Sequence, residues 1–178
     1  MRIVIVFFLV FTLQEGTSAP LTSQESPACA SFGVQRFQEK KEALPFSLKS
    51  LDGNQVTLSG LKGKPLLMVF FASWCPGCKE ELPLFEKFSS GKKDQLTIIG
   101  LAIDGEKEKK IQNFVKKCKV TLPVLLDEKE KVARAYGVKM VPTTFLIDTE
   151  GFIVGMVMGQ RDWSSPGAWA AIKELLIR

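Results

Sequence analysis

The sequence contains no histidine, and this absence excludes several kinds of active site. Hydrolytic triads with a histidine base cannot form, and neither can zinc sites with histidine ligands. No apolar run approaches the roughly 20 residues that normally span a bilayer, since the run at the start, Ile3 to Leu13, has eleven residues. Internal repeats and low-complexity tracts are also missing. What remains is a chain of 178 residues with ordinary globular composition, long enough for one domain with a substantial core.

The charge pattern gives no indication of a nucleic-acid partner. The net charge is only +5, and lysines are mixed with glutamates, as in "EKEKK" at 106–110, rather than gathered in one stripe. Such mixed segments are typical of solvated helix faces and loops. We therefore predict no nucleic-acid binding.

The first residues have the features of an export signal. Met1-Arg2 forms a short cationic start, the apolar run follows, and the small residues Thr17 to Ala19 suit a cleavage point. Residues 1–19 are therefore predicted to be a signal peptide or an uncleaved N-terminal anchor. The protein is accordingly expected to be extracytoplasmic, in the periplasm.

The segment over residues 20–42 is polar and is predicted to be a tether that leads into the domain. Pro20 is unfavourable directly after a cleavage point, so two other processing sites stay open. One is cleavage near "ACA" at 28–30, and the other makes Cys29 a lipid-modified first residue.

From Leu44 onward, the apolar pattern predicts strands that alternate with helices in the first part of the domain. A hairpin and a helix are predicted at its end. This is an α/β domain over residues 43–178. The predicted elements in chain order are a hairpin about Asp52-Gly53, a buried strand over 65–71, a helix beginning at Pro76, a buried strand over 96–104, an amphipathic helix over 106–118, a short extended piece and short helix before Gly137, a hairpin over 143–159, and a last helix with Pro166 at its start. The last helix is predicted to bury Trp169, Ile172 and Leu176.

Four cysteines occur, at positions 29, 75, 78 and 118, and only Cys75 and Cys78 have an informative spacing. A structural zinc site needs four ligands, and the chain offers neither histidines nor a second close cysteine pair. A permanent disulfide across two intervening residues closes a very small loop and constrains the unfolded chain little. The pattern therefore favours a redox pair and no metal.

The position of the pair supports redox chemistry. Cys75 lies between a buried strand and a helix that begins at Pro76, where unpaired N–H groups and the helix dipole favour a thiolate. Cys78, one helical turn later, can reach and resolve a mixed disulfide formed on Cys75. Gly77 leaves the backbone uncovered for the approach of a partner protein.

Three segments, "FFASWCPGCKEELP", "MVPTTFLID" and "EGFIVGMVMG", together resemble the thioredoxin superfamily, and specifically its TlpA/ResA-like extracytoplasmic branch, which carries a redoxin/AhpC-TSA-related domain. The resemblance runs from about Leu44 to the C-terminus. It implies a thioredoxin fold, with a central mixed sheet flanked by helices, an N-terminal β-hairpin and a helix–strand insertion over Glu106–Asp127.

The resemblance also implies roles for residues around the pair. Pro142 matches the cis-proline of the family, whose loop, here Val141 to Thr143, binds an extended partner segment beside Trp74, Pro76 and Gly77. Glu81 matches an acidic residue near the active site that could relay the proton of Cys78. Two alternatives stay open: Trp74 as a plain core aromatic, and Glu81 as a solvated helix glutamate. Plain thioredoxins carry a buried aspartate where this chain has Val69, which leaves Glu81 as the candidate relay.

The resulting functional prediction is an exported thiol-disulfide oxidoreductase that reduces disulfides in extracytoplasmic proteins and needs no cofactor. The resemblance implies clients such as apocytochrome c or proteins of metal-site assembly, and a membrane thiol-reducing protein as the electron donor. One alternative is a thiol peroxidase, although Met68 and Ala72 replace the proline and threonine that usually precede the peroxidatic cysteine. The other is a non-catalytic module whose binding is gated by the redox pair.

The remaining two cysteines are predicted separately. Cys118 falls on the apolar face of its helix, where a small buried hydrophobic residue is expected. A disulfide between Cys29 and Cys118 stays open, since an oxidising compartment would allow it.

Overall fold

A six-stranded mixed sheet forms the centre of the protein in the computed structural model, which describes residues 27–177. The strands are β1 Val34–Glu42, β2 Ser47–Lys49, β3 Gln55–Thr57, β4 Leu66–Phe71, β5 Thr97–Ala102, β6 Val124–Leu126, β7 Thr143–Ile147 and β8 Phe152–Met158. The helices are α1 Pro27–Phe32, α2 Pro76–Ser89, α3 Glu108–Cys118, α4 Lys131–Ala135 and α5 Pro166–Leu176, with short 3₁₀ turns at Ser59–Leu61, Gly105–Lys107 and Glu128–Glu130.

The sheet order is β1-β8-β7-β4-β5-β6, and β2 pairs with β3 in a separate hairpin. Strands β4, β5 and β6 are parallel, whereas β7, β8 and β1 add antiparallel neighbours on the other side of β4. The predicted fold class is confirmed: a mixed sheet with helices, the early hairpin, and an insertion that supplies α3 and β6.

Strand β4 is buried on both faces because six consecutive apolar side chains have to be covered. Leu67, Val69 and Phe71 point into the core cluster that also contains Cys78 and Phe85 of α2. The alternate side chains, Leu66, Met68 and Phe70, enter a second cluster with Tyr136 and Phe145. Burial of each large side chain stabilises the fold by about 1.5–3 kcal/mol, so the strand that ends at the cysteine pair is among the most firmly held parts of the protein.

The prediction of a tether is wrong over residues 27–42. Residues 27–32 form α1, and residues 34–42 form β1, which pairs antiparallel with β8 in the register Val34 to Val157. Gly155 allows this close approach, since a Cβ there would lie 2.9 Å from the carbonyl oxygen of Gln35. The polar, exposed side chains of β1 are those of an edge strand, and its partner lies more than 100 residues away in the sequence. Residues 20–26 and the predicted signal or anchor, 1–19, lie outside the described residues.

The last helix differs from its prediction in what it buries. Ser165 is the N-cap and Pro166 begins the helix as expected, and Ile172 and Leu176 are buried. Trp169 is only partly buried, however. The completely buried tryptophan is Trp163, in the segment before the helix, with 0% exposure.

Cys29 and Cys118 lie in different parts of the core and do not form a disulfide with each other. The sulfur of Cys29 is 3.9 Å from the carbonyl oxygen of Ala171 in α5, whereas that of Cys118 is 3.8 Å from the carbonyl oxygen of Lys79 in α2. Cys118 is buried, as predicted, and burial raises the pKa of its thiol. The side chain of Cys29 is 1% exposed, so a lipid on its sulfur would have to disrupt the packing of α1.

Candidate active site

Cys75 and Cys78 form a disulfide at the junction of β4 and α2. Cys75 is the N-cap residue of α2, and its sulfur accepts a hydrogen bond from the backbone N–H of Cys78 at 3.1 Å. The same N–H and the positive end of the helix stabilise a thiolate on Cys75 when the pair is reduced. Cys75 is 5% exposed and Cys78 is 0% exposed, so Cys75 is the sulfur that a partner protein can reach.

The loop before the pair is held by a residue that the sequence analysis missed. Asp104, at the end of the β5 strand region, accepts hydrogen bonds from the backbone N–H of Ser73 at 3.2 Å and from its hydroxyl at 2.6 Å. Strands β4 and β5 are parallel neighbours, so their C-terminal ends lie side by side. An aspartate directly after an apolar strand is the signal that could have found this contact.

The loop that contains Pro142 faces the disulfide, as the resemblance implied. The Val141–Pro142 peptide bond is cis, and the carbonyl oxygen of Val141 lies 3.6 Å from the sulfur of Cys75. The carbonyl of Pro142 accepts a hydrogen bond from the N–H of Gly159 at 2.8 Å, which joins the loop to the end of β8. Thr143 is 3% exposed and its hydroxyl donates to the carbonyl of Met140 at 2.8 Å, so this side chain braces the loop.

The surface around Cys75 is apolar and open. Trp74 is 64% exposed, which rules out the alternative of a plain core aromatic. Met140, just before the cis peptide, is 50% exposed. Pro76 is exposed on the first turn of α2, and Gly77 behind it faces Pro142. Large exposed apolar side chains beside a reactive sulfur suit contact with another protein.

Glu81 is buried and lies one turn after Cys78 on the same face of α2. It is 1% exposed, so the alternative of a solvated helix glutamate is wrong. Its Oε1 accepts hydrogen bonds from the indole N–H of Trp163 at 2.8 Å and from the backbone N–H of Arg161 at 3.0 Å. Its Oε2 is buried without a hydrogen-bond partner among the described residues. Burial raises the pKa of Glu81 to about 7, against the opposing effect of the two hydrogen bonds.

Segment 160–163, between β8 and α5, brings three further residues to the site that the sequence analysis did not single out. Arg161 and Trp163 contact Glu81, and the side-chain amide of Gln160 donates to Glu80 at 2.8 Å. A Cβ on Gly77 would lie 3.3 Å from the side-chain oxygen of Gln160. The pattern "GQRDW" carries no local signal of these contacts, since each joins residues about 80 positions apart.

Within residues 27–177, no group of three or more cysteine, aspartate or glutamate side chains could hold a metal ion. The same part of the chain contains no helix of the length and apolar character needed to cross a membrane.

Comparison with known proteins agrees with this geometry. The sequence profile of the AhpC/TSA family matches residues 40–156. The chain belongs to this family. Within it, the chain is similar to the thiol-disulfide oxidoreductase ResA of Bacillus subtilis, with 36% identity over 128 residues that cover 71% of each protein. It is also similar to the sporulation thiol-disulfide oxidoreductase A of that organism, with 31% identity over 68% of this chain and 76% of the relative.

A solved structure extends the likeness to three dimensions. The exposed lipoprotein thioredoxin of Streptococcus pneumoniae is 31% identical, with a TM-score of 0.65, and the match covers 74% of this chain and all of the other. This member of the AhpC/TSA family is therefore a ResA-like enzyme of the thioredoxin superfamily, a thiol-disulfide oxidoreductase with a disulfide between Cys75 and Cys78.

Proposed function

We propose that this enzyme is exported and that it reduces disulfides in extracytoplasmic proteins through the dithiol form of Cys75 and Cys78. The observation that carries the proposal is the placement of the two sulfurs. Cys75 caps the N-terminus of α2 and is the less buried of the two, whereas Cys78 is completely buried one turn from the carboxyl group of Glu81, whose Oε2 has no hydrogen-bond partner among the described residues.

The first half of the reaction belongs to Cys75. Its thiol loses a proton to solvent, and the thiolate attacks one sulfur of the client disulfide. A bond forms between Cys75 and that sulfur, the client S–S bond breaks, and the departing client thiolate takes up a proton. The N–H of Cys78, which already contacts this sulfur, stabilises the charge before the attack.

The second half belongs to Cys78 and Glu81. Cys78 transfers its proton to the carboxylate of Glu81 and attacks the sulfur of Cys75, which releases the second client thiolate. The proton on Glu81 then passes to that thiolate. The client gains two electrons and two protons, and the enzyme pair loses the same number. A pKa of about 7 lets Glu81 both accept and return a proton near neutral pH.

The client is held, in this proposal, by the open surface on both sides of Cys75. An extended client segment lies along the loop from Val141 to Thr143 and bonds to its backbone, while Trp74 and the turn of Pro76 and Gly77 contact client side chains. The exposure of Trp74 and the short distance from Val141 to the Cys75 sulfur support this arrangement.

Residues 1–19 support the proposed location, because their cationic start and apolar run suit a signal peptide or an N-terminal anchor. The likeness to a protein described as an exposed lipoprotein supports a position outside the cytoplasm, in the periplasm where one exists. Cytosolic reductants do not reach such a domain. A membrane thiol-reducing protein therefore supplies the electrons that regenerate the dithiol, and apocytochrome c and metal-site assembly proteins are the expected clients.

The test is trapping in the native host. In Cys78→Ser the mixed disulfide on Cys75 cannot be resolved, so clients are expected to accumulate in bonds that dithiothreitol releases and mass spectrometry identifies. Cys75→Ser is the matched control and should trap nothing. If Cys75→Ser retains the same partners as the wild type, the protein is a binding module and the proposed reaction is wrong. If the trapped proteins are cytoplasmic only, the proposed location is wrong.

A further inference from the structure

Trp163 is the side chain beyond Cys75, Cys78 and Glu81 whose contacts bear most directly on the proposed proton transfer. It lies in the segment between β8 and α5 and is completely buried, with 0% exposure. Its indole N–H is the one polar group of the side chain, and it points at Oε1 of Glu81 at 2.8 Å. The two residues are 82 positions apart, so the bond exists only because the fold brings α2 and this segment together.

The two oxygens of Glu81 have different surroundings. Oε1 accepts from both Trp163 and the backbone N–H of Arg161, whereas Oε2 has no hydrogen-bond partner in the described part of the chain. A buried carboxyl oxygen without a partner is costly, and a carboxyl group with only a structural role would be expected to satisfy both oxygens. Oε1 is therefore held in place by two donors, whereas Oε2 is available for another interaction.

The ring of Trp163 is fixed from several sides, which fixes the direction of its N–H. The ring centroids of Phe85, Phe32 and Phe88 lie 4.3, 5.0 and 5.6 Å from that of Trp163. Phe32 belongs to α1, so the helix at the start of the described chain takes part in holding the indole. The Nε of Arg161 donates to the carbonyl of Phe32 at 3.3 Å and ties the same helix to the segment.

The charged and titratable groups around Glu81 are few. Arg161, in the segment, is the charged residue that acts on the carboxyl group, and its guanidinium also donates to the carbonyl of Gln160. On α2 the titratable neighbour on the same face is Cys78, while the side chain of Glu80 is exposed and bonded to Gln160. From α1 and α5 the groups in this core cluster are aromatic and aliphatic side chains and the thiol of Cys29, whose sulfur lies 3.9 Å from the carbonyl oxygen of Ala171.

We propose that Trp163 is a positioning residue, whose indole N–H holds Oε1 of Glu81 so that Oε2 is the oxygen that exchanges a proton with Cys78. This inference rests on the proposed function, in which Glu81 takes up that proton. Trp163 acts through the carboxyl group of Glu81, which it orients and whose charged form its hydrogen bond stabilises.

The first measurement needs no substitution. The full chain has three tryptophans, Trp74, Trp163 and Trp169, so the indole N–H of each can be followed by ¹⁵N–¹H NMR of the oxidised protein. The Trp163 resonance is expected to titrate with a midpoint near pH 7, the pKa of Glu81, and to lose this transition in Glu81→Gln. The resonances of Trp74 and Trp169 serve as internal controls and should not follow it. A Trp163 resonance that is insensitive to pH from 5 to 9 would overturn the inference.

The second measurement is the substitution Trp163→Phe, which keeps an aromatic ring and removes the donor. The side-chain ¹³C carboxyl resonance of Glu81 should then titrate about one pH unit higher than in the wild type, because a hydrogen bond to the charged form is lost. Trp169→Phe is the matched control and should leave the midpoint unchanged, because this partly buried tryptophan meets the ring of Phe88 edge-on and is not among the hydrogen-bond donors to Glu81. An unchanged midpoint in Trp163→Phe contradicts the positioning role.

Measurements of catalysis distinguish the positioning role of Trp163 from the proton relay by Glu81, on which that role rests. In insulin-disulfide reduction, the pH midpoint of kcat is expected to rise in Trp163→Phe together with that of Glu81, with little change in KM. If Glu81→Gln has the wild-type pH profile, the proton relay is wrong even where the NMR midpoint shifts. If Glu81→Gln abolishes the midpoint and Trp163→Phe leaves it in place, the relay stands and the role of Trp163 is wrong.

Discussion

Asp104 accepts two hydrogen bonds from Ser73, one from its backbone N–H at 3.2 Å and one from its hydroxyl at 2.6 Å. This contact connects the loop that leads into the disulfide with the end of the neighbouring parallel strand. Asp104 is 4% exposed, and the loop therefore depends on a buried carboxyl group for its position. Trp74 and Cys75 follow Ser73 directly, so the contact bears on both stability and reactivity.

Replacing Asp104 by alanine should therefore reduce both the stability of the protein and the reactivity of the cysteine pair. The N–H of Ser73 loses its acceptor, and we expect the free energy of unfolding to fall by about 1–3 kcal/mol. The insulin-reduction rate should fall as well, since the Cys75 loop is no longer held. Urea denaturation and turnover measure the two effects. Ser73→Ala, which removes only the hydroxyl bond, should cost less, and equal losses in the two variants would contradict this account.

Gly77→Ala tests the packing between α2 and the cis-proline loop. A Cβ at this position would lie 3.3 Å from the side-chain oxygen of Gln160 and 3.7 Å from Cδ of Pro142. We expect kcat/KM for disulfide reduction to fall several-fold, because Gln160 or the loop has to move, while stability changes by no more than about 1 kcal/mol in either direction. The double variant with Gln160→Ala should recover activity. A fully active Gly77→Ala enzyme would show that this contact has no part in client binding.

The buried carboxyl group of Glu81 should make stability depend on pH. Its pKa is raised from an ordinary value near 4.5 to about 7 in the folded state, so the folded protein binds more protons than the unfolded chain between these values. The resulting stabilisation is complete below about pH 4.5 and is lost as the pH rises through about 7, a change of order 3 kcal/mol.

Urea denaturation at a series of pH values measures this dependence. Glu81→Gln should remove the decline in unfolding free energy between pH 5 and pH 8. Glu80→Gln is the matched control, because it changes the adjacent, exposed carboxylate and should retain the decline. A wild-type protein equally stable at both pH values would mean that Glu81 has an ordinary pKa.

Phe32→Ala distinguishes a folded N-terminal segment from a tether. The Phe32 side chain is 7% exposed and contacts Trp163, so its removal should destabilise the protein by about 3–5 kcal/mol. Phe37→Ala is the control, since this side chain lies on β1 but is 37% exposed. It should change the unfolding free energy by well under 1 kcal/mol. Similar, small effects in both would restore the tether interpretation.

Local features of the chain were sufficient to predict much of the fold. The six apolar residues of β4 and the turn at Asp52-Gly53 specify their elements through neighbours a few residues away. Cys75 and Pro76 likewise mark the start of α2 within a single motif. The cis bond before Pro142 came from family resemblance alone, because no local rule selects that isomer for a particular proline.

The predictions for residues 27–42 and for Trp169 were wrong because the outcome depended on contacts between distant parts of the chain. The polar side chains of β1 are indistinguishable from those of a tether until β8 supplies its hydrogen bonds. Burial of Trp169 was predicted because helical periodicity is visible in the sequence, and Trp163 was not considered, since it is buried by rings from α1 and α2.

The sequence by itself determined the reactive pair, because two cysteines one helical turn apart at a strand–helix junction define their chemistry within four residues. Only the tertiary structure decided how deeply Glu81 is buried, in which direction its pKa shifts and which residues donate hydrogen bonds to it. Its burial, its raised pKa and its contact with Trp163 depend on elements 82 residues apart in the chain. Such contacts form only when the core closes, and no local pattern encodes them.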